Sequence, residues 1–496
     1  MARWFLILAL TILSACQPPA DEVIDGSADA ALQLRPCTQE QFSHRGTRKD
    51  FQCGKLAVLE NPQQADGRSI ELNIVRLPAL STSPQPDPVF VLAGGPGQAS
   101  TEIVSGVGPW LRLVNRERDF IFVDQRGTGK SNPLDCELDS DVDYTLTLAE
   151  LEAEQERLLK QCLANFAADL PYYTTPYAAD DINAVREALG YAQMNLWGGS
   201  YGTRLALEIM RRHPKQVRSA VLDGVAPIGI NLPEYVLRDA DEAMAAILQH
   251  CADNALCASR FPDLAQTLPA LIQHYDANPE TVTIQHSLRA EPYTLRLRGQ
   301  MIAALLRLAL YARDISPVLP LMIHSLQEGN FEPLMTLLSF SEGVANDVSI
   351  GLQQTILCAE DVARIQESDQ VDNSLLQLAV IKPSKAICSF WPTGDLPEDY
   401  FNPVTSDIPT LLLSGGLDPV TPPLWGEFAA QHLRNHLHLV APGAHHGVST
   451  LGCVPEIIDE FVTDLLVNPL ATDCINAIQP MPAFVSPAGP AMQTKQ

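Results

Sequence analysis

Six short apolar runs, each ending in a loop that carries glycine or aspartate, recur along this chain. Helix-like stretches separate them, for example "YGTRLALEIMRRH" after Ser200. Apolar runs of this length suit parallel strands that are buried on both faces. The alternation of strand and helix predicts an α/β sheet. The runs are "DPVFVLAGGPG" (87–97), "DFIFVDQRGTG" (119–129), "MNLWGGSYG" (194–202), "VRSAVLDGVAP" (217–227), "PTLLLSGGLDP" (409–419) and "LHLVAPGAHHG" (437–447).

The stretch 230–400 does not show this alternation of strand and helix. It contains runs with helical spacing, such as "GQMIAALLRLALYARD", and a possible hairpin in "ETVTIQHSLRAEPYTLRLR". We interpret it as a mostly helical insertion over the carboxyl edge of the sheet. The predicted organisation is then a core of two segments with a cap between them, followed by a flexible tail rich in proline. The boundaries are 36–235 and 395–478 for the core, 236–394 for the cap and 479–496 for the tail.

The amino terminus predicts export. Arg3 supplies a positive charge, and residues 4–13 form an apolar run too short to span a bilayer. The segment 1–16 ends in "LSAC", which resembles the lipobox of bacterial lipoproteins, so Cys16 is the expected lipidation site. An ordinary cleaved signal peptide is the alternative. With 17–35 as a tether, we expect a lipid-anchored protein of the bacterial cell envelope, at the outer membrane facing the periplasm.

The net charge limits which partners are expected, and the cysteine content indicates disulfides rather than a metal site. The formal net charge is −26 over 496 residues, which argues against a nucleic-acid partner because phosphate binding needs clustered Lys and Arg. Removing Cys16 from the 11 cysteines leaves an even number, which suggests disulfides in an exported protein. No CxxC pair with metal-site spacing is present, so we expect no structural zinc. We also expect no other metal and no cofactor. Sequence does not fix connectivity, but nearest-neighbour pairing gives Cys37–Cys53, Cys136–Cys162, Cys251–Cys257, Cys358–Cys388 and Cys453–Cys474.

The motif "GGSYG" fits G-x-S-x-G, in which a strand turns sharply into a helix and exposes a serine. The turn is crowded, so Gly198 and Gly202 supply space on either side of Ser200. A plain glycine-rich turn is the alternative for the five residues alone. The strand before them and the helix after them favour a nucleophile.

A serine nucleophile needs a base and a carboxylate that orients it. Asp418 follows one predicted strand and His446 follows the next, so the chain order Ser, acid, His fits this motif. His445 competes for the role of base, and Asp223, which also follows a strand, competes for the role of acid. We favour Ser200, Asp418 and His446.

Acyl transfer also needs two amides that face the developing oxyanion. One would be the N–H of Tyr201, directly after the nucleophile. The other would come from "AGGPG" (93–97), where glycine lets the backbone approach substrate closely. We favour Gly95 over Gly94 as the second donor.

Together these motifs resemble the α/β-hydrolase serine exopeptidases related to proline iminopeptidase, and more narrowly the tripeptidyl-aminopeptidase-like proteins. The resemblance rests on "GGPG", "DQRGTGKS", "WGGSYGT", "SGGLDPVTPP" and "PGAHHG", with support from "ILCAED" and "CSFW". It implies an α/β-hydrolase fold and peptide substrates cleaved from the free amino end. Such an enzyme recognises an ammonium group, for which Glu360 is the first candidate and Asp361 the second. An acidic helix start is the alternative for both. Arg126 is interpreted as structural.

Two other functions stay open from sequence. A carboxylesterase or lipase-like hydrolase would keep the triad and have an apolar cap pocket without acidic residues near the serine. A lipid-anchored binding protein without catalysis would carry a damaged triad, and the motifs here are intact. The leading hypothesis is a serine aminopeptidase. Oligomeric state and the number of residues released per cut are not indicated by the sequence.

Overall fold

The computed structural model describes residues 32–38, 50–105, 112–136, 143–285, 291–338, 348–365, 375–376, 380–466 and 472–490. The predicted signal peptide and Cys16 lie outside these residues, as do most of the predicted tether and the last six residues of the predicted tail. In the part of the chain that is described, no helix is long and apolar enough to cross a bilayer.

A nine-stranded sheet forms the centre of the protein. Its strands are β1 Arg35–Pro36, β2 Gln52–Leu59, β3 Ser69–Leu77, β4 Val89–Leu92, β5 Phe120–Val123, β6 Met194–Gly199, β7 Val217–Asp223, β10 Thr410–Gly415 and β11 His436–Ala441. Their spatial order is β1-β2-β3-β5-β4-β6-β7-β10-β11. The first four strands in this order pair antiparallel, and the pairs from β5 through β4 to β11 are parallel.

The apolar runs form the middle of this sheet. Every residue of β4, β5 and β10 is buried, since helices cover both faces of the parallel strands. Five of the six runs continue at their carboxyl ends into the loops that carry the predicted site residues or their alternatives. The α/β-hydrolase fold class expected from sequence is therefore confirmed, with its largely parallel sheet.

Helices flank the sheet and build the insertion. Those of the core include α3 Tyr201–Arg212, which follows β6 directly and is almost entirely buried. The helices are α1 Leu148–Asn165, α2 Thr175–Ala188, α3 Tyr201–Arg212, α4 Leu232–Asp253, α5 Ala255–Arg260, α6 Leu264–Ala277, α7 Gly299–Ala309, α8 Leu319–Gln327, α9 Ile350–Ile356, α10 Ile381–Cys388, α11 Pro423–Ala430 and α12 Val454–Asp464.

The insertion has a hydrophobic core of its own. Met244, Leu268, Ile302, Leu306 and Ile323 are fully buried there, on α4, α6, α7 and α8. The expected hairpin is present as β8 Glu280–Gln285 and β9 Pro292–Leu297, which pair antiparallel. A π-helical turn, Leu357–Asp361, follows α9 and carries both acidic residues of "CAED".

Two expected terminal segments differ from the structure. The tether was expected to reach residue 35, but Arg35–Pro36 pairs with β2, and Leu32 donates to the carbonyl of Ala188 at 2.8 Å. The tail was expected to be loose from residue 479. Instead β12 Phe484–Ser486 and β13 Gly489–Pro490 pair antiparallel, and Val485 packs on the core of the insertion. Apolar side chains between the prolines provide the packing surface.

The five disulfides follow the nearest-neighbour pairing. They join Cys37 to Cys53, Cys136 to Cys162, Cys251 to Cys257, Cys358 to Cys388 and Cys453 to Cys474. Each closes a loop of 6–30 residues, so each restrains a local segment. The Cys358–Cys388 bridge ties the π-helical turn to α10.

Candidate active site

Ser200 lies at the sharp turn between β6 and α3. Its backbone has φ 55° and ψ −124°, a strained conformation for a residue other than glycine. A methyl group on Gly198 would collide with the backbone of Gly202, and one on Gly202 would collide with the carbonyl of Leu92. The two glycines therefore permit the close approach of strand and helix that presents the serine.

The predicted oxyanion amides flank this turn. Tyr201 is the first residue of α3, so its N–H has no acceptor within the helix. The glycine loop lies against the serine, because a Cβ placed on Gly94 would be 3.2 Å from the Cβ of Ser200. Gly95 is the next residue, and its φ of +104° is open only to glycine without strain. The glycine loop that holds Gly95 thus lies against the turn that holds Ser200 and Tyr201.

His446 forms a hydrogen-bonded pair with Asp418, which becomes an ion pair when the imidazole is protonated. The His446 Nδ1 lies 2.8 Å from Asp418 Oδ2 and 3.0 Å from Oδ1. Burial favours the neutral imidazole, but the charge of Asp418 and its hydrogen bond outweigh this and raise the pKa of His446 above 6.5. With Nδ1 held by the carboxylate, Nε2 is the nitrogen left to take a proton from serine.

Hydrogen bonds fix the Asp418 carboxylate. The N–H groups of Val420 and Thr421 both donate to Oδ1 at 2.9 Å, and the Thr421 hydroxyl donates to Oδ2 at 2.8 Å. The same hydroxyl lies 3.2 Å from His446 Nδ1. Burial alone would raise the pKa of Asp418, but His446 and these donors hold it below its ordinary value. Asp418 is therefore ionised at neutral pH.

The two competing residues have other partners. His445 is buried, with Nδ1 at 2.7 Å from the carbonyl of Leu310 and Nε2 at 2.9 Å from the Ser316 hydroxyl. The Asp223 carboxylate accepts from the backbone N–H groups of Val448 and Ser449 at 2.8–3.0 Å. His446 and Asp418 are thus the pair with triad geometry, as favoured from sequence.

Glu360 and Asp361 do not lie on an open pocket wall. Both are fully buried, and Arg204 of α3 donates to both of them at 3.1–3.4 Å. The expectation that they bind a substrate ammonium directly is corrected by this placement, because solvent does not reach either side chain. Sequence spacing could not show it, since Arg204 lies more than 150 residues away in the chain.

Glu360 instead connects the cap to the nucleophile turn. Its Oε1 accepts from the Thr175 N–H at 2.8 Å, and its Oε2 accepts from the hydroxyls of Thr175 and Tyr400. The Thr175 hydroxyl also lies 2.8 Å from the Tyr201 hydroxyl. Burial raises the pKa of Glu360, and Arg204 opposes that shift. These groups form a closed polar cluster behind the predicted oxyanion donor Tyr201.

Arg126 has the structural role expected of it. It is buried and donates to both oxygens of Asp181 at 2.6 and 2.7 Å, and to the carbonyls of Glu60 and Tyr172.

Residues missed from sequence are Thr421, Thr175, Tyr400 and Arg204. Thr421 had a local signal, because it lies three residues after Asp418 in the same loop.

Comparison with known proteins agrees with this geometry. A family model described as the α/β-hydrolase fold matches residues 87–450, well over half of the chain. The chain belongs to the α/β-hydrolase family. Among curated proteins, the serine protease Hip1 of Mycobacterium tuberculosis is 27% identical over 451 residues, covering 84% of this chain and 85% of the relative.

Shorter matches include peptidases of the same family. Tripeptidyl aminopeptidase of Streptomyces coelicolor is 29% identical, over 36% of this chain and 35% of the relative. Proline iminopeptidase of Aeromonas sobria is 28% identical, over 52% and 57%. Among solved structures, proline iminopeptidase of Mycobacterium smegmatis matches with 17% identity and a TM-score of 0.38, covering 83% of this chain and 98% of that one. The family model and the curated relatives identify this α/β-hydrolase as a serine hydrolase with protease and aminopeptidase relatives.

Proposed function

We propose that this α/β-hydrolase is an exported serine aminopeptidase that removes residues or short peptides, with proline or a tripeptide as candidate units, from the free amino end of peptides. The observation that carries the proposal is the His446–Asp418 pair, whose histidine loop is linked through Asp223 to the strained turn of Ser200. The 27% identity to a serine protease across 84% of the chain supports a peptide substrate.

In the proposed mechanism, Ser200 Oγ attacks the scissile carbonyl while His446 Nε2 takes its proton. The negative oxygen is stabilised by the N–H groups of Tyr201 and Gly95. His446 then gives the proton to the leaving amine, and the C–N bond breaks to leave an acyl-enzyme. Water, deprotonated by His446, releases the acyl group and restores Ser200. Asp418 stabilises the imidazolium in both steps.

Recognition of the free amine cannot use Glu360 or Asp361 directly, given their burial. The net charge of −26 favours a cationic end over a blocked one through the field of the whole protein. We further propose that the helical insertion restricts access so that only peptide ends reach Ser200.

A substrate panel tests the proposal on purified protein lacking residues 1–16. It holds proline, alanine and tripeptide amides with a free amine, the same amides with the amine blocked, and a short-chain ester. We expect cleavage of the free-amine amides alone, with no cleavage by Ser200→Ala. The longest unit released gives the step length. Ester turnover without amide turnover would assign the alternative, a carboxylesterase.

Export and lipid anchoring are a separate proposal. Five disulfides support an oxidising compartment, and the lipobox-like "LSAC" supports an anchor at Cys16. Expression of the full chain in a bacterium should put the protein in the membrane fraction, from which detergent releases it. Cys16→Ala should move it to the soluble periplasmic fraction. Recovery of both forms in the cytoplasm would refute the proposal.

A further inference from the structure

Arg307 lies in the last turn of α7, at the point where the cap meets the histidine loop. The residues just after this helix contact both histidines of that loop. The carbonyl of Leu310 accepts from His445, and the ring of Tyr311 packs edge-on against the ring of His446, with 5.3 Å between centroids. The end of α7 is therefore part of the active-site wall.

The Arg307 guanidinium has few partners for its charge. Its Nη2 donates to the Tyr311 hydroxyl at 3.0 Å, and its Cζ lies 5.5 Å from the centre of the same ring. Its Nε is buried and has no hydrogen-bond acceptor. Across the described ranges, no carboxylate lies within ion-pair distance of this side chain. Because the Tyr311 hydroxyl is neutral and its ring offers only a face, most of the five N–H donors of Arg307 have no anionic acceptor.

Three of the five buried arginines in the described part of the chain pair with a carboxylate: Arg126 with Asp181, Arg118 with Asp87, and Arg204 with Asp361, each within 3.1 Å. Arg186 and Arg298 donate to backbone carbonyls instead. Asp and Glu outnumber Lys and Arg by 59 to 33, so carboxylates are abundant. Arg307 is half-buried and has no carboxylate partner among the described residues, so an anionic ligand would gain a charged hydrogen bond there without displacing an existing ion pair. Its charge also opposes protonation of His446.

The role of His446 indicates on which side of the scissile bond Arg307 lies. The histidine of a triad protonates the leaving amine, so groups packed around it on the cap side lie near the leaving portion of the substrate. Tyr311 contacts both His446 and Arg307, which places the guanidinium beside that portion. A peptide offers two carboxylates there: the terminal α-carboxylate, or the side chain of Asp or Glu.

We propose that Arg307 binds a carboxylate on the first residue after the scissile bond. The inference rests on the proposed function, because it assumes a peptide substrate. The enzyme would then prefer short peptides in which a single residue with a free carboxylate follows the cleaved bond, or longer peptides with an acidic residue at that position. Arg307 acts on substrate selection, and the triad performs the chemistry.

Three peptides with the same acyl part test the carboxylate site at Arg307. They end in alanine, alanine amide and aspartate amide. We expect kcat/KM for the alanine peptide to exceed that for the alanine amide by about tenfold, which is typical of one charged hydrogen-bonded contact. Arg307→Gln should bring this ratio close to one, whatever its absolute rates, and Arg307→Lys should keep part of it. The aspartate amide shows whether a side-chain carboxylate is accepted as well.

Arg260→Gln is the matched control, because it removes the same charge from an exposed position on the cap. It should keep the wild-type ratio. A wild-type ratio within twofold of one, or a tenfold ratio that persists in Arg307→Gln, would overturn the carboxylate site. Cleavage without a carboxylate preference therefore defeats this inference and leaves the aminopeptidase proposal intact.

A binding experiment covers the case in which no peptide is cleaved. The Ser200→Ala protein is titrated with alanyl-phenylalanine and with its amide, and chemical shifts are followed by NMR. Tighter binding of the acid, lost when Arg307→Gln is added, supports the carboxylate site independently of turnover. Equal binding of both compounds by the Ser200→Ala protein refutes it.

Discussion

The backbone N–H of Ser200 donates to the backbone carbonyl of Asp223 at 2.9 Å. The Asp223 side chain meanwhile accepts from the N–H groups of Val448 and Ser449, which follow the histidine loop. One residue at the end of β7 therefore holds both the nucleophile turn and the loop that carries His446. These contacts explain why Asp223 is buried there although it does not contact the imidazole of His446 as a triad acid does.

Replacing Asp223 should affect mainly the position of His446 rather than its protonation state. In Asp223→Asn an NH₂ group replaces one carboxylate oxygen, and as a donor it would face the Val448 N–H, which lies within 3.0 Å of both oxygens. We expect a loss of about 1–3 kcal/mol in the free energy of unfolding and a fall of about 10²-fold in kcat/KM from misplacement of His446. Urea unfolding and steady-state kinetics measure the two effects.

The pH profile distinguishes the role of Asp223 from that of Asp418. Asp223→Asn should move the acidic limb of kcat/KM to lower pH by less than Asp418→Asn does, because Asp418 contributes more than Asp223 to the raised pKa of His446. A downward shift in Asp223→Asn as large as that in Asp418→Asn would favour Asp223 as the triad acid. Asp407→Asn, at an exposed position, serves as the control for a neutralised aspartate.

The raised pKa of His446 sets the acidic limb of the wild-type enzyme. His446 must be neutral to accept the serine proton, so kcat/KM should fall about tenfold per pH unit below this pKa. Since Asp418 raises the pKa above 6.5, the limb should lie above 6.5. In Asp418→Asn the raising charge is gone and burial remains, so the limb should move to lower pH, while kcat falls by up to about 10⁴-fold. A limb that moves upward would contradict this ion pair.

The buried cluster around Glu360 should matter for stability and not for amine selection. Glu360→Gln keeps the shape but cannot accept on both terminal atoms, so one of the bonds from Thr175 or Tyr400 is lost. We expect about 1–3 kcal/mol of destabilisation. The ratio of kcat/KM for free-amine over blocked substrates should not change, since Glu360 is fully buried. A collapse of that ratio would restore direct amine recognition.

Sequence predicted the parts of the protein that local pattern determines. The buried runs of β4, β5 and β10, and the glycines that Ser200 needs, are encoded within a few residues each. Chain order did not separate Asp418 from Asp223, because both follow a strand and lie between Ser200 and His446; the hydrogen bond of His446 to Asp418 distinguishes them. The burial of Glu360 depends on Arg204 and Tyr400, which reach it from distant segments. Local sequence does not carry that information, so an acidic pair next to a disulfide resembled an open binding site.

The same limit applies to Glu208, which no motif singled out. It lies on α3, is 1% exposed, and its Oε2 has no hydrogen-bond partner although Arg211 is 3.3 Å away. Burial raises its pKa from 4.5 to about 7, against the charges of Arg211 and Arg212. The folded protein therefore binds this proton more tightly than the unfolded chain.

The consequence is a stability that falls as pH rises. The contribution of protonated Glu208 is fully present below pH 4.5 and is lost as pH rises through about 7, a change of about 3 kcal/mol at most. Glu208→Gln is neutral at every pH, so its advantage over wild type should grow between pH 5 and pH 8. Thermal unfolding of both proteins across this range measures the difference, with exposed Glu427→Gln as control. A constant difference between wild type and Glu208→Gln would mean that Glu208 is ionised throughout and stabilised by its arginines.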